Sequence, residues 1–174
     1  RTKKENRYAE NQRDPKADAE HDFMRCAAPM AAMPCKFPIV FLAAAAEEQG
    51  TFGSRHFVQT AFLDGMNIVA AINYDAVGGR SGIPQYAPLF AANLLESPAG
   101  ELARYYEYIA GLYLPAFPVE VIDALDREGR WGDHREFVNA GMPGIRVIES
   151  VEDPDLVNSR QDTWDRIDYD YLQQ

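Results

Sequence analysis

Two kinds of segment alternate along this chain: short, mainly apolar runs without polar–apolar alternation, and stretches whose apolar residues recur at helical spacing. Phe37–Ala45, Met66–Ile72 and Gly144–Ile148 are of the first kind. Runs of this length without alternation predict strands of a parallel sheet covered on both faces. Val119–Ile122 is a further candidate strand. Ser54–Phe62 predicts a short helix, and Pro98–Tyr113 a longer one. In the latter Ser97 is the N-cap, Pro98 takes the first helical position, and Leu102, Tyr105, Tyr106, Ile109, Ala110 and Tyr113 form one stripe. His134–Ala140 predicts a third helix, with Asp133 as cap, Glu136 three residues on, and Gly141 then Pro143 ending it. Asp168–Gln174 begins one more. Helices interleaved with strands in this order predict a three-layer α/β/α sandwich with a mostly parallel, mixed central sheet.

The first 22 residues stand apart. Basic and acidic side chains fill Arg1–Asp22, and Tyr8 is its one aromatic. Too little can be buried there to offset the entropy of ordering, so the segment predicts a mobile arm ahead of a domain spanning 23–174.

Composition narrows the function classes. The chain has 174 residues, 47% of them hydrophobic, enough for one domain with one core. Its 17 Lys and Arg against 27 Asp and Glu give a formal charge of 17 − 27 = −10, the wrong sign for tracking phosphates, so no nucleic-acid partner is expected. The longest apolar run, Ile39–Ala46, falls far short of the roughly 20 residues of a membrane helix. Arg1–Asp22 carries no secretory signal pattern. Cys26 and Cys35 form neither a disulfide framework nor a cysteine-rich zinc cluster, and read as small thiols.

In open α/β sheets the chemistry sits just beyond the carboxyl ends of the strands. The first run leads into Glu47-Glu48, the second into Asn73-Tyr74-Asp75 and then Gly78-Gly79, and the third into Glu149. Carboxylates crowded at one sheet edge repel one another unless a cation lies between them. A divalent metal is the usual solution, and of two adjacent glutamates one can ligate it while the other holds a water as general base. The plainer reading has Glu47 and Glu48 open the turn before Gly50 and face solvent.

The motifs bear on that choice. Glu47-Glu48-Gln49-Gly50-Thr51-Phe52-Gly53-Ser54, directly after Ile39-Val40-Phe41-Leu42-Ala43, resembles the signature of the co-catalytic zinc aminopeptidases. Bacterial leucyl aminopeptidases belong to that family, with glutaminyl cyclases and the transferrin-receptor ectodomain as relatives. Asn73-Tyr74-Asp75-Ala76-Val77-Gly78 is similar to its second metal motif. Gly132-Asp133-His134-Arg135-Glu136-Phe137 with Gly141-Met142-Pro143-Gly144-Ile145 resembles its Asp-His-x-x-Phe…Gly-x-Pro segment. Asp162-Thr163-Trp164-Asp165 resembles the stretch near its last ligand. The resemblance implies a hydrolase that removes amino-terminal residues from peptides with water activated between two zinc ions. It implies Glu47 as general base, Glu48 as a ligand of one zinc and Asp75 as a ligand of the other. It also favours a secreted or periplasmic location.

The chain departs from that pattern at several ligands. The family's His-x-Asp motif, well upstream of the glutamate pair, is missing, and His21-Asp22 lies too close to it. The bridging aspartate has no clear counterpart; Asp14 has the spacing but not the surrounding turn. The last histidine, four residues before Asp162, is replaced by Asn158, whose amide oxygen is a far poorer zinc ligand. His56 reads as a surface or packing histidine, His134 as structural, and Asp162 as a cap or an orienting group. Relative to the family, the domain reads as incomplete at both ends. Metal sites that lose most of their ligands bind weakly, so activity is expected to be weak or lost. A non-catalytic module that keeps the fold to bind another protein is the alternative, and glutaminyl cyclisation on the same fold a third reading. The pocket wall would come from Gly79–Ala92 and Tyr105–Tyr113, neither of which is diagnostic of specificity. No oligomeric state follows from the sequence.

Overall fold

A strand needs a partner as well as an apolar run, and this decides which of the expected strands form. The computed structural model describes residues 36–174. The expected arm Arg1–Asp22, the domain start at Phe23, and Asp14, His21, Asp22, Cys26 and Cys35 lie outside the described residues. The chain divides into two units, Arg1–Ala43 and Ala44–Gln174. In the first, residues 36–43 run as irregular backbone with Phe37 and Val40 exposed. The expected strand Phe37–Ala45 is therefore not formed. Among the described residues no strand ladder includes it, and β-propensity without a ladder does not make a strand.

The second unit is built on four strands: β1 (Ala71–Tyr74), β2 (Ala87–Ala91), β3 (Val119–Asp123) and β4 (Gly144–Val147). Their order is β1-β4-β2-β3. β1 pairs parallel with β4 (Asn73 opposite Arg146), β2 pairs parallel with β3, and β2 meets β4 antiparallel through Leu89 and Val147. The mixed, mostly parallel sheet is thus present. Its second expected strand begins later than the apolar run, since residues 66–70 are irregular and pairing starts at Ala71. β2 was not foreseen as a strand. Pro88 in its middle has no N–H to give the ladder, but its carbonyl still accepts from Ile148 N at 3.1 Å.

Helices α1 (Phe52–Leu63), α2 (Pro98–Tyr113) and α3 (His134–Asn139) flank the sheet, and α4 (Tyr169–Leu172) closes the chain. α2 packs on β2, β3 and β4, while α3 packs on β1 and β4 and against α1. Side chains alternate along a strand, so β4 serves both layers. Ile145 and Val147 join Leu89, Ala99 and Ala103 in the core on the α2 side. Gly144 lies against Phe137 and Val138 of α3, on the other face.

The α2 stripe is rotated from the expected one. Its buried residues are Ala99, Gly100 and Ala103, with Leu102 and Tyr106 packed beside them, whereas Tyr105 and Tyr113 are exposed. Small side chains let the helix approach the sheet closely, which the larger aromatics would prevent. Ser97 caps α2 as expected, accepting from Gly100 N at 3.0 Å. Asp133 does not cap α3: it is itself helical in backbone, and its side chain accepts no capping bond. At the chain's last helix Asp168, rather than Asp162, is the cap, accepting from Asp170 N and Tyr171 N. The Tyr171 ring meets Phe117 edge-on in the core, and its hydroxyl joins Ser150 N to the Tyr86 carbonyl. Among the described residues no helix is long and apolar enough to cross a membrane.

Candidate active site

Glu47 and Glu48 sit in a tight turn between irregular backbone and α1. Gly50 N and Thr51 N both donate to the Glu47 carbonyl, at 2.9 and 2.8 Å, and Gly53 N donates to Ala45 O at 2.9 Å. Gly53 is required here: a Cβ at this position would lie 2.5 Å from Ala45 O and 2.6 Å from Ala45 N. Ala46, Gly50 and Thr51 all have positive φ, which for alanine and threonine is strained backbone. The turn thus has one shape, held by its hydrogen bonds.

Asp75 follows β1 directly, and its N–H donates to Val147 O of β4 at 3.3 Å. Glu47 lies within electrostatic reach of Asp75, Glu48 and Asp133. Burial first, and then these three neighbouring carboxylates, push its carboxyl above the usual range, with the Arg146 guanidinium opposing. Glu48 and Asp75 thus both bear on Glu47 electrostatically. Glu149 is not in that group. Its carboxylate accepts from Gly79 N at 2.6 Å and so ties down the loop behind Asp75; burial nonetheless pushes it up.

Two contacts decide what the acidic cluster can hold. Asn158 Nδ2 donates to Glu48 Oε1 at 2.9 Å, so the position where the family pattern has histidine does face Glu48. Arg146 donates to Asp75 at 2.9 Å and to Asp126 at 2.6 Å, with 4% of its side chain exposed and 1% of that of Asp126. Burial works against the charge of Asp126, but the Arg127 N–H and Arg146 outweigh it and hold the carboxyl below its usual range. Glu48 is thus engaged by an amide and Asp75 by a guanidinium. Among the described residues no three His, Cys, Asp or Glu side chains gather as a metal-holding group. Taken alone, these donors do not fit a zinc pair.

Among the described residues, His56 and His134 stay outside the cluster. His56 is exposed on α1. His134 is buried, with its Nε2 2.7 Å from Leu125 O, and burial holds its pKa below the usual value. Asp162 acts on Glu149 electrostatically rather than as a cap. Arg146 and Asp126 were not foreseen. The signal was present in Gly144-Ile145-Arg146-Val147-Ile148, where one cation interrupts an otherwise apolar strand.

The profile described as Peptidase family M28 matches residues 22–174. A probable zinc metalloprotease of Pyrenophora tritici-repentis is 34% identical over 141 residues, covering 68% of this chain and 32% of that protein. One from Pyricularia oryzae is 30% identical over 169 residues, covering 77% of this chain and 34% of that protein. The chain therefore spans about a third of the length of the curated relatives it matches. Among solved structures, a zinc aminopeptidase from Bacillus subtilis superposes with a TM-score of 0.63 at 22% identity, over 87% of this chain and 36% of that one. That likeness is one of fold.

Proposed function

The chain belongs to peptidase family M28, and from that premise we propose that it carries the acidic half of a metallopeptidase site, with Glu47 as general base and Glu48 and Asp75 as the carboxylates directed to zinc. The reaction class is removal of amino-terminal residues from peptides. One observation supports this reading above the others: Asn158, where the family pattern has histidine, donates to Glu48 at 2.9 Å, and Glu48 and Asp75 both act electrostatically on Glu47. A carboxyl with raised proton affinity suits a group that takes a proton from water and returns it to a leaving amine. With Asn158 and Arg146 engaging both carboxylates, we propose that hydrolysis by this chain is weak or absent. A second reading, favoured by the same Asn158–Glu48 contact, is a module that keeps the peptidase fold to bind another protein.

Equilibrium dialysis against zinc, paired with hydrolysis of aminoacyl p-nitroanilides, tests the proposal. Less than one equivalent of tight zinc is expected, with a trace of turnover that Glu47→Gln abolishes. Two tight equivalents with rapid turnover would overturn the impairment. Turnover untouched by Glu47→Gln would overturn the site.

A further inference from the structure

Glu136, on α3, lies far from the acidic turn in sequence but is bonded to it in space. Its buried carboxylate accepts from the Thr51 hydroxyl at 2.6 Å and from Arg55 Nε at 3.3 Å, and Arg135 Nη2 lies 3.2 Å away. Thr51 is fully buried and holds a left-handed backbone at φ 56 and ψ 34. A β-branched residue adopts that conformation only where its surroundings over-determine it. The Thr51 hydroxyl lies 2.7 Å from Gly50 O within the turn and 2.6 Å from Glu136 Oε1, its tie to α3, while Thr51 N bonds the carbonyl of Glu47 itself. Arg55 completes the frame, donating from Nη2 to Gly50 O at 3.0 Å.

We infer that Glu136 is a positioning residue: through the Thr51 hydroxyl it locks the turn that aims Glu47 and Glu48 into the site. The relevance of that aim to peptide hydrolysis rests on the function proposed above, but the lock itself does not. α3 thereby does more than cover the sheet. It sets the direction of two carboxylates carried by another segment.

The test uses the whole chain and a reporter already in place, the Asn158 side-chain amide bonded to Glu48. Its pair of resonances in a ¹⁵N–¹H spectrum is identified by its loss in Asn158→Ser. In Thr51→Val, which keeps the shape and removes the hydroxyl, and in Glu136→Gln, this pair is expected to shift. Exchange of the Gly50, Thr51 and Gly53 amides is expected to speed up about tenfold or more, as for a locally opened segment. Thr51→Ser restores the hydroxyl and is expected to leave both readouts at their wild-type values. General destabilisation would not produce that pattern. If Thr51→Val leaves the Asn158 pair unmoved, or Thr51→Ser shifts it as much as valine does, the inference is wrong. Should one of Thr51→Val and Glu136→Gln fail to fold, the other decides. The readouts need neither zinc nor turnover, so a failed peptidase assay and a failed lock are told apart.

Discussion

Asn158 donates its side-chain amide to Glu48 at 2.9 Å, across 110 positions of sequence. An imidazole at the same place would present a nitrogen lone pair toward whatever Glu48 holds. Asn158→His is therefore expected to tighten zinc binding at least about tenfold, or about 1.4 kcal/mol. Titration calorimetry of the two proteins with zinc measures this. Equal affinities would mean that Glu48 and residue 158 do not address one ion.

Arg146 is the cation that holds Asp75 and Asp126 together. Removing one partner of a buried ion pair leaves the other uncompensated, which costs about 3–5 kcal/mol. Arg146→Met is expected to lose part of that stability in urea unfolding, because buried Asp126 keeps only its bonds from Arg127. Arg146→Lys retains one positive charge and should lose less. Identical losses in the two variants would show that packing rather than charge is what Arg146 supplies.

His134 makes stability depend on pH. Its folded-state pKa is depressed because burial disfavours the charged ring, so the fold prefers the neutral form. That contribution is complete above the ordinary value of 6.5 and is lost as pH falls below it through the folded value. Between pH 7 and 5 the unfolding free energy should fall with a slope of up to about 1.4 kcal/mol per pH unit. Denaturant midpoints measured across that window should flatten in His134→Gln.

Glu47 has the opposite sign. Its pKa is raised by burial and by like charge, so its stabilising contribution is present below 4.5 and is lost as pH rises through the folded value. At neutral pH the turn therefore carries repulsion that Glu47→Gln removes. The melting temperature of that variant is expected to rise by roughly 1–4 °C. A fall would show that the Glu47 charge is compensated in the folded chain.

Much of this arrangement is legible in the sequence, and the gaps have physical causes. Local signals carried α2 with its Ser97 cap, β4, β3 and the closing helix at Asp168, because caps and short apolar runs act over a few residues. The glutamate pair and Asp75 were legible as motifs, and so was position 158. What escaped is set by partners distant in sequence. β2 carries Pro88 in a central strand, where proline is rare, and only its neighbours in the sheet show that the segment pairs. Phe37–Ala45 has the composition of a strand but no ladder among the described residues. Thr51 and Glu136 lie 85 positions apart, and nothing in either segment announces the other. Glu136 read as part of a capping box, yet its carboxylate faces α1.

The Tyr171 hydroxyl fastens the backbone at Ser150 to that at Tyr86. The flank of its ring fills the space where any side chain on Gly79 would go, at a residue already in left-handed backbone with φ 62. Gly79 in turn is the residue Glu149 grips behind Asp75. A single phenol near the carboxyl terminus thus latches three stretches of chain together, and peeling that last short helix away would slacken the floor beneath Asp75 without touching any acidic group.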